Sequence, residues 1–132
     1  MMVELRKVIV KYLESLHPEV YFQEASKQAQ YPYLVYNVET NPDGENYELV
    51  MLEIDGWDLS SNGDSNRVEE LMNKVNGDGS VINPTGLDKR TLTSENLVVT
   101  FYLDMKLPPL PDDDKKIQRR KYTYQARLFG RS

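Results

Sequence analysis

Apolar residues in the first sixteen positions recur at spacings of three and four. Leu5, Val8, Ile9, Tyr12, Leu13 and Leu16 form one stripe, with Glu4, Lys7, Lys11 and Glu14 mostly on the other side. The spacing predicts an amphipathic helix over residues 2–16 that Pro18 stops. The segments Val20–Phe22 and Tyr33–Thr40 are rich in Val and aromatics and flanked by turn formers, so both read as strands. Asn41, Pro42, Asp43, Gly44 and Asn46 then predict a loop. Tyr47–Leu59 is the longest apolar strand candidate. Tyr47, Leu49 and Met51 fall on one face, Val50, Leu52 and Ile54 on the other, and Trp57 and Leu59 return to the first. A middle buried on both sides, or a bulge near Gly56, is expected from that alternation.

Ser60–Asp64 reads as a polar loop. Val68, Leu71, Met72 and Val75 then set a second helix over about 64–76, with Asp64 or Ser65 as N-cap and Gly77 as its stop. Residues 77–86 read as a connection and Leu87–Leu92 as a short strand. Leu97, Val99, Phe101, Leu103, Met105 and Leu107 alternate with Val98, Thr100, Tyr102, Asp104 and Lys106, the mark of a strand buried on one face. Pro108, Pro109, Pro111 and Asp112–Asp114 break it. A last strand, Ile117–Phe129, sets Tyr122, Tyr124, Ala126 and Leu128 against Arg119, Lys121, Thr123, Gln125 and Arg127. This order predicts a single α+β domain over residues 1–132, a mainly antiparallel sheet with both helices packed on one face. Flexible loops are expected near 41–46, 77–86 and 107–116.

Composition narrows the chemistry. The 132 residues are 39% hydrophobic, which predicts a folded domain with a lean core. The absence of cysteine excludes disulfides and thiolate ligands, and the single histidine, His17, excludes multi-histidine centres. No metal or cofactor is expected: the glycines sit in turn contexts with no phosphate-cradling loop, and Gly77-Asp78-Gly79 is too short for a calcium loop. No leader or membrane-spanning run is visible, and a soluble, intracellular protein is the expectation. Glu53 and Asp55, two apart on a strand, would stand on one face at about 6.8 Å, a spacing open to acid–base chemistry. Ordinary alternating acids on a solvated sheet face explain them more simply, and no enzyme activity is expected. His17 reads as a helix-end residue favoured by the dipole.

Charge placement changes the picture most. The net charge of −5 conceals a split. Residues 39–66 hold eight acids and no base, and residues 115–132 hold seven bases and no acid. The first 114 residues carry a balance of −12 and the last 18 carry +7. Two readings follow. Either the segments pair as neighbouring strands within one chain, or acidic and basic surfaces attract successive copies. The candidate interface is Lys115, Lys116, Arg119, Arg120 and Lys121 on the basic side, with Asp43, Glu45, Asp112, Asp113 and Asp114 on the acidic side. Phosphate contact through the basic cluster is a third reading, weakened by the core-facing period of Tyr122 and Tyr124 and by the acidic total. Nine tyrosines suit the margins of a lean core and interfaces alike.

Four segments together resemble a known family. They are the opening helix, Tyr31-Pro32-Tyr33-Leu34-Val35-Tyr36, Leu52-Glu53-Ile54-Asp55-Gly56-Trp57-Asp58 with its polar loop and short helix, and Arg119-Arg120-Lys121-Tyr122-Thr123-Tyr124-Gln125-Ala126-Arg127-Leu128. They are similar to the tail terminator, or tail-to-head joining, proteins of long-tailed bacteriophages, over roughly residues 5–130. Gly56 departs from the branched or aromatic residue expected in its strand. The resemblance implies a structural virion subunit that caps the tail tube as a ring, expected to be a hexamer, and docks the tail to the head connector. Its implied partners are itself, the tail tube protein and the head-completion or stopper protein, with DNA only in transit and no membrane. Its implied location is the virion tail at the head–tail interface, with the host cytoplasm during assembly. The alternatives are a connector-side stopper or minor tail protein of the same neck region, and a small interaction adaptor unrelated to phage.

Overall fold

The computed structural model describes residues 2–42, 47–109, 114 and 116–130. Helix α1 (Met2–Leu16) is followed by strands β1 (Val20–Phe22), β2 (Tyr33–Pro42) and β3 (Glu48–Leu59). Helix α2 (Asn66–Asn76) then leads to β4 (Thr91–Thr93), β5 (Leu97–Lys106) and β6 (Ile117–Gly130). The strands form one sheet in the order β1-β2-β3-β6-β5-β4. Every pairing is antiparallel except β1 with β2, which is parallel. The fold is a single α+β domain, as the order of elements predicts.

Both helices lie on one face of the sheet. Leu34, Tyr36 and Val38 of β2, Val50, Leu52 and Ile54 of β3, and Tyr122, Tyr124, Ala126 and Leu128 of β6 point to that face, joined by Leu97, Val99 and Phe101 of β5. Leu5, Ile9 and Leu13 of α1 and Val68, Leu71, Met72 and Val75 of α2 close the core from above. The apolar stripes read from the sequence supply the buried residues, with one correction: Met105, expected on the buried side of β5, is exposed, because the register shift after Leu103 turns it to the other face.

β3 decides between two expectations. It pairs with β2 over 48–57 and with β6 over all twelve residues without a register break, so there is no bulge at Gly56; the other alternative holds, since Ile54, Asp55 and Gly56 are buried in succession on both sides of the sheet. Tyr47, Leu49, Met51, Trp57 and Leu59 are all odd-numbered and share the face away from the helices. The charged Glu53 and Asp55 between them only make the alternation look broken. Gly56 faces α2 instead, where a Cβ would meet Met72 Sδ at 2.6 Å. Among the described residues the register shifts once, between Leu103 and Met105 of β5, where Asp88 Oδ1 accepts the Leu103 N–H at 2.9 Å.

Several boundaries move by a residue or two, α2 starting at Asn66 and β3 at Glu48, and two shifts matter for the loops. Asn41 and Pro42 continue β2, paired with Leu49 and Glu48, so the first two residues of the predicted loop are strand, and its other positions, 43–46, lie outside the described residues. The short strand is Thr91–Thr93, not Leu87–Leu92. Residues 87 and 88 are drawn to the end of α2, where the Leu87 and Asp88 N–H groups reach the Val75 and Asn76 carbonyls at 2.8 and 3.0 Å. Those carbonyls have no partner within the helix, so this loop completes its C-terminus.

Residues 77–86 form a braced connection. Gly77 and Gly86 lie back to back, and a Cβ on Gly86 would stand 2.3 Å from the Gly77 nitrogen. Gly77 also caps α2 at φ +80°, its N–H donating to the Asn73 carbonyl at 2.8 Å. Asp78 N–H donates to Thr85 Oγ1, Ser80 N–H to Asp78 Oδ1, and Arg90 Nη2 to the Pro84 carbonyl. The His17 ring nitrogen Nε2 donates to the Pro32 carbonyl at 2.6 Å, tying the end of α1 to the entry of β2.

Candidate functional site on the uncovered sheet face

Helices cover one face of the sheet, and among the described residues no helix covers the other. Alternation sends the odd-numbered side chains of β2, β3 and β6 there, and it sends the even-numbered ones of β5 as far as the register shift, beyond which Met105 takes that face. At one end of this face a row of rings crosses three strands. Tyr21 of β1 meets Tyr33 of β2 edge-on with centroids 6.1 Å apart, and Tyr33 stacks on Trp57 of β3 at 6.2 Å and 18° between planes. The Arg119 guanidinium of β6 lies 4.5 Å from the Trp57 centroid, and Tyr31 packs on Tyr33 at 5.2 Å. Burial, with Tyr31 beside it, raises the Tyr33 hydroxyl above its ordinary pKa.

The same row organises the charges. Arg119 Nη2 donates to Asp55 Oδ2 at 2.6 Å, and Lys121 Nζ stands 3.4 Å from Glu53 Oε2 and 3.9 Å from Asp55 Oδ1. On the helix side, Arg120 Nε pairs with Glu69 of α2 at 2.5 Å, and buried Asp58 receives Arg67 at 2.7 Å. Antiparallel pairing of β3 with β6 therefore places the acidic and basic stretches side by side and joins them within one chain. Arg120 is only 8% exposed and lies on the helix side, so it pins α2 and presents little to a partner.

The remaining interface candidates divide plainly. Lys116 and Asp114 are exposed, with the Lys116 N–H bonded to Asp114 Oδ1 at 2.9 Å. Lys115, Asp43, Glu45, Asp112 and Asp113 lie outside the described residues. Glu53 and Asp55 share a face as their spacing predicts, and each is committed to a cation. The stacked rings bear on the phosphate reading. Tyr33 and Trp57 stack on each other and Trp57 also carries Arg119, so ring faces that base stacking would need are already occupied within the chain. Among the described residues no three His, Asp or Glu are grouped to hold a metal ion, and no helix is long and apolar enough to cross a membrane.

At the other end of this face lies a depression of about 630 Å³ lined by Leu49, Thr100, Tyr102, Gln125, Arg127 and Phe129. Tyr102 and Phe129 are exposed, Tyr47 packs on Phe129 at 5.8 Å, and the Arg127 guanidinium lies 5.1 Å from the Tyr47 centroid. Sequence reading missed this patch because Tyr47, Leu49, Tyr102 and Phe129 come from three strands whose order periodicity does not reveal. The signal was present in the second apolar parity of β3. No protein-family model and no curated protein matches the chain.

Proposed function

We propose that the chain is a tail terminator, or tail-to-head joining, subunit of a long-tailed bacteriophage. It caps the tail tube as a ring of copies and gives the head connector its docking surface. Four segments spread over nearly the whole chain support this reading by their resemblance to that family, and an α+β domain is the fold the resemblance implies. The observation that carries it is the half-covered sheet. A domain with a lean core leaves aromatic and aliphatic side chains on a broad uncovered face, an arrangement suited to a subunit that completes its burial against neighbours. Nucleic-acid readout is not part of the proposal; DNA passes the ring without being read.

The internal pairing of Arg119, Arg120 and Lys121 moves the proposed subunit contact away from the basic cluster and toward the apolar part of the uncovered face. The proposal is tested by incubating the protein with purified tail tubes and, separately, with purified filled heads. Co-sedimentation with the tubes is expected. Binding to filled heads alone would assign the chain to the connector side instead.

A further inference from the structure

The loop that follows α2 carries two adjacent aliphatic side chains in open solvent. Val81 is 76% exposed and Ile82 is 87% exposed. Chains do not ordinarily leave neighbouring branched aliphatics so bare on a tip that is also braced. Here the bracing is extensive: Gly77 against Gly86, Asp78 with Thr85 and Ser80, Asn83 N–H on Ser80 Oγ, and Arg90 Nη2 on the Pro84 carbonyl. A tip held this way loses little further freedom on docking, which is the entropic condition for a useful contact.

The molecule also carries a surface of matching chemistry. The depression has an apolar side formed by Leu49, Phe129 and the Tyr102 ring and a polar side formed by Thr100 and Gln125, and the one charged side chain lining it is Arg127. The one charged residue among positions 77–86 is Asp78. Tip and depression do not meet within one chain, where Val81 and Ile82 stay exposed. The tip follows α2, which packs on β3 and β6 from the helix side, and the depression lies on the opposite face of the same sheet.

We propose that the Val81–Ile82 tip of one copy seats in the Leu49–Tyr102–Phe129 depression of a second copy, with Asp78 near Arg127. The two patches differ, so the contact is head-to-tail and repeats from copy to copy, generating a ring where the rotation closes. The inference deepens the terminator reading and rests on it in taking a second copy as the occupant.

The chain has no native cysteine, which makes the test direct. Ile82→Cys protein is mixed with Phe129→Cys protein at high concentration and oxidised. Val3→Cys, on the exposed side of α1, replaces Ile82→Cys as the control. The expected result is at least tenfold more disulfide-linked dimer from the 82/129 pair than from the 3/129 pair. Adding Val81→Ser to the Ile82→Cys chain should sharply reduce that yield, and both changes lie on exposed positions where the fold does not depend on them. Equal yields from the two pairs would overturn the contact. Tube binding by a chain that gives no 82/129 link overturns the contact alone. A link without tube binding supports the contact and counts against the terminator reading.

Discussion

Gly56 of β3 lies directly under Met72 of α2, so close that a Cβ would stand 2.6 Å from the Met72 sulfur and 3.4 Å from Val68 Cγ2. This is where the second helix reaches the sheet, and it explains why glycine occupies a mid-strand position that ordinarily favours a branched residue. Gly56→Ala should cost about 1–3 kcal/mol, the usual penalty for overpacking a closed core. Met72 is fully buried, so its flexible thioether can yield only by repacking against buried neighbours. Gly56→Val should cost more, because it also meets Val68. Urea unfolding of the three proteins checks the order; equal midpoints would mean that α2 rides higher than described.

The charged ladder makes a different prediction. Arg120 is nearly buried beside Glu69, and Lys121 lies at a more exposed pair with Glu53. Arg120→Ala should cost about 1.5–3 kcal/mol, the range for a lost charge-assisted bond in a part-buried setting. Lys121→Ala should cost about 1 kcal/mol or less. Thermal unfolding at low and high salt separates them, with the Lys121 effect shrinking as salt rises. Reversal of Arg119 and Arg120 to Glu should lower the melting temperature of the isolated subunit before any effect on assembly is read.

Tyr124 is fully buried, and its hydroxyl donates to Asn76 Oδ1 at 2.9 Å. Burial raises its pKa far above the ordinary value of about 10. The folded chain therefore keeps a proton that the unfolded chain gives up. This contribution is fully present below about pH 10 and is lost as pH rises beyond it. Tyr12, Tyr33, Tyr36 and Tyr122 are shifted the same way, chiefly by burial. Denaturation midpoints should be flat from neutrality to about pH 10 and fall steeply above. Tyr124→Phe should be weaker at neutral pH by about 1 kcal/mol for the lost hydrogen bond, and its decline above pH 10 should be shallower. An unchanged alkaline slope would contradict this.

The back-to-back glycines at 77 and 86 give the sharpest stability prediction. A Cβ on Gly86 would come within 2.6 Å of the Asn76 carbonyl oxygen and 2.3 Å of the Gly77 nitrogen, and both obstacles are backbone. Gly86→Ala should cost about 3 kcal/mol or more, with no side chain able to yield. Hydrogen exchange at the Leu87 and Asp88 amides, which close the end of α2, is the local readout.

Much of this architecture is legible along the chain, and what is not has a physical cause. The two helices, the strands around Tyr33, Leu97 and Ile117, and the core-facing role of Tyr122 and Tyr124 follow from periodicity alone. The continuity of β3 was obscured because both of its faces carry apolar residues, and alternation cannot say which face a helix will cover. Leu87 looked like a strand residue, but it is apolar because it closes the end of α2. The uncovered-face site was half legible. Glu53, Asp55, Arg119 and Lys121 stand out as charges, yet their pairing depends on β3 lying beside β6, a neighbour relation between segments some 60 residues apart that local sequence does not encode. The depression around Leu49, Tyr102 and Phe129 depends on the same relation and on β5 as well.

Electron microscopy of tails assembled without this chain tests the proposed role most directly. Tail tubes of irregular, extended length that fail to join filled heads are expected, with length control and joining restored when the purified protein is added. Tubes of normal length that join filled heads in its absence would contradict the account.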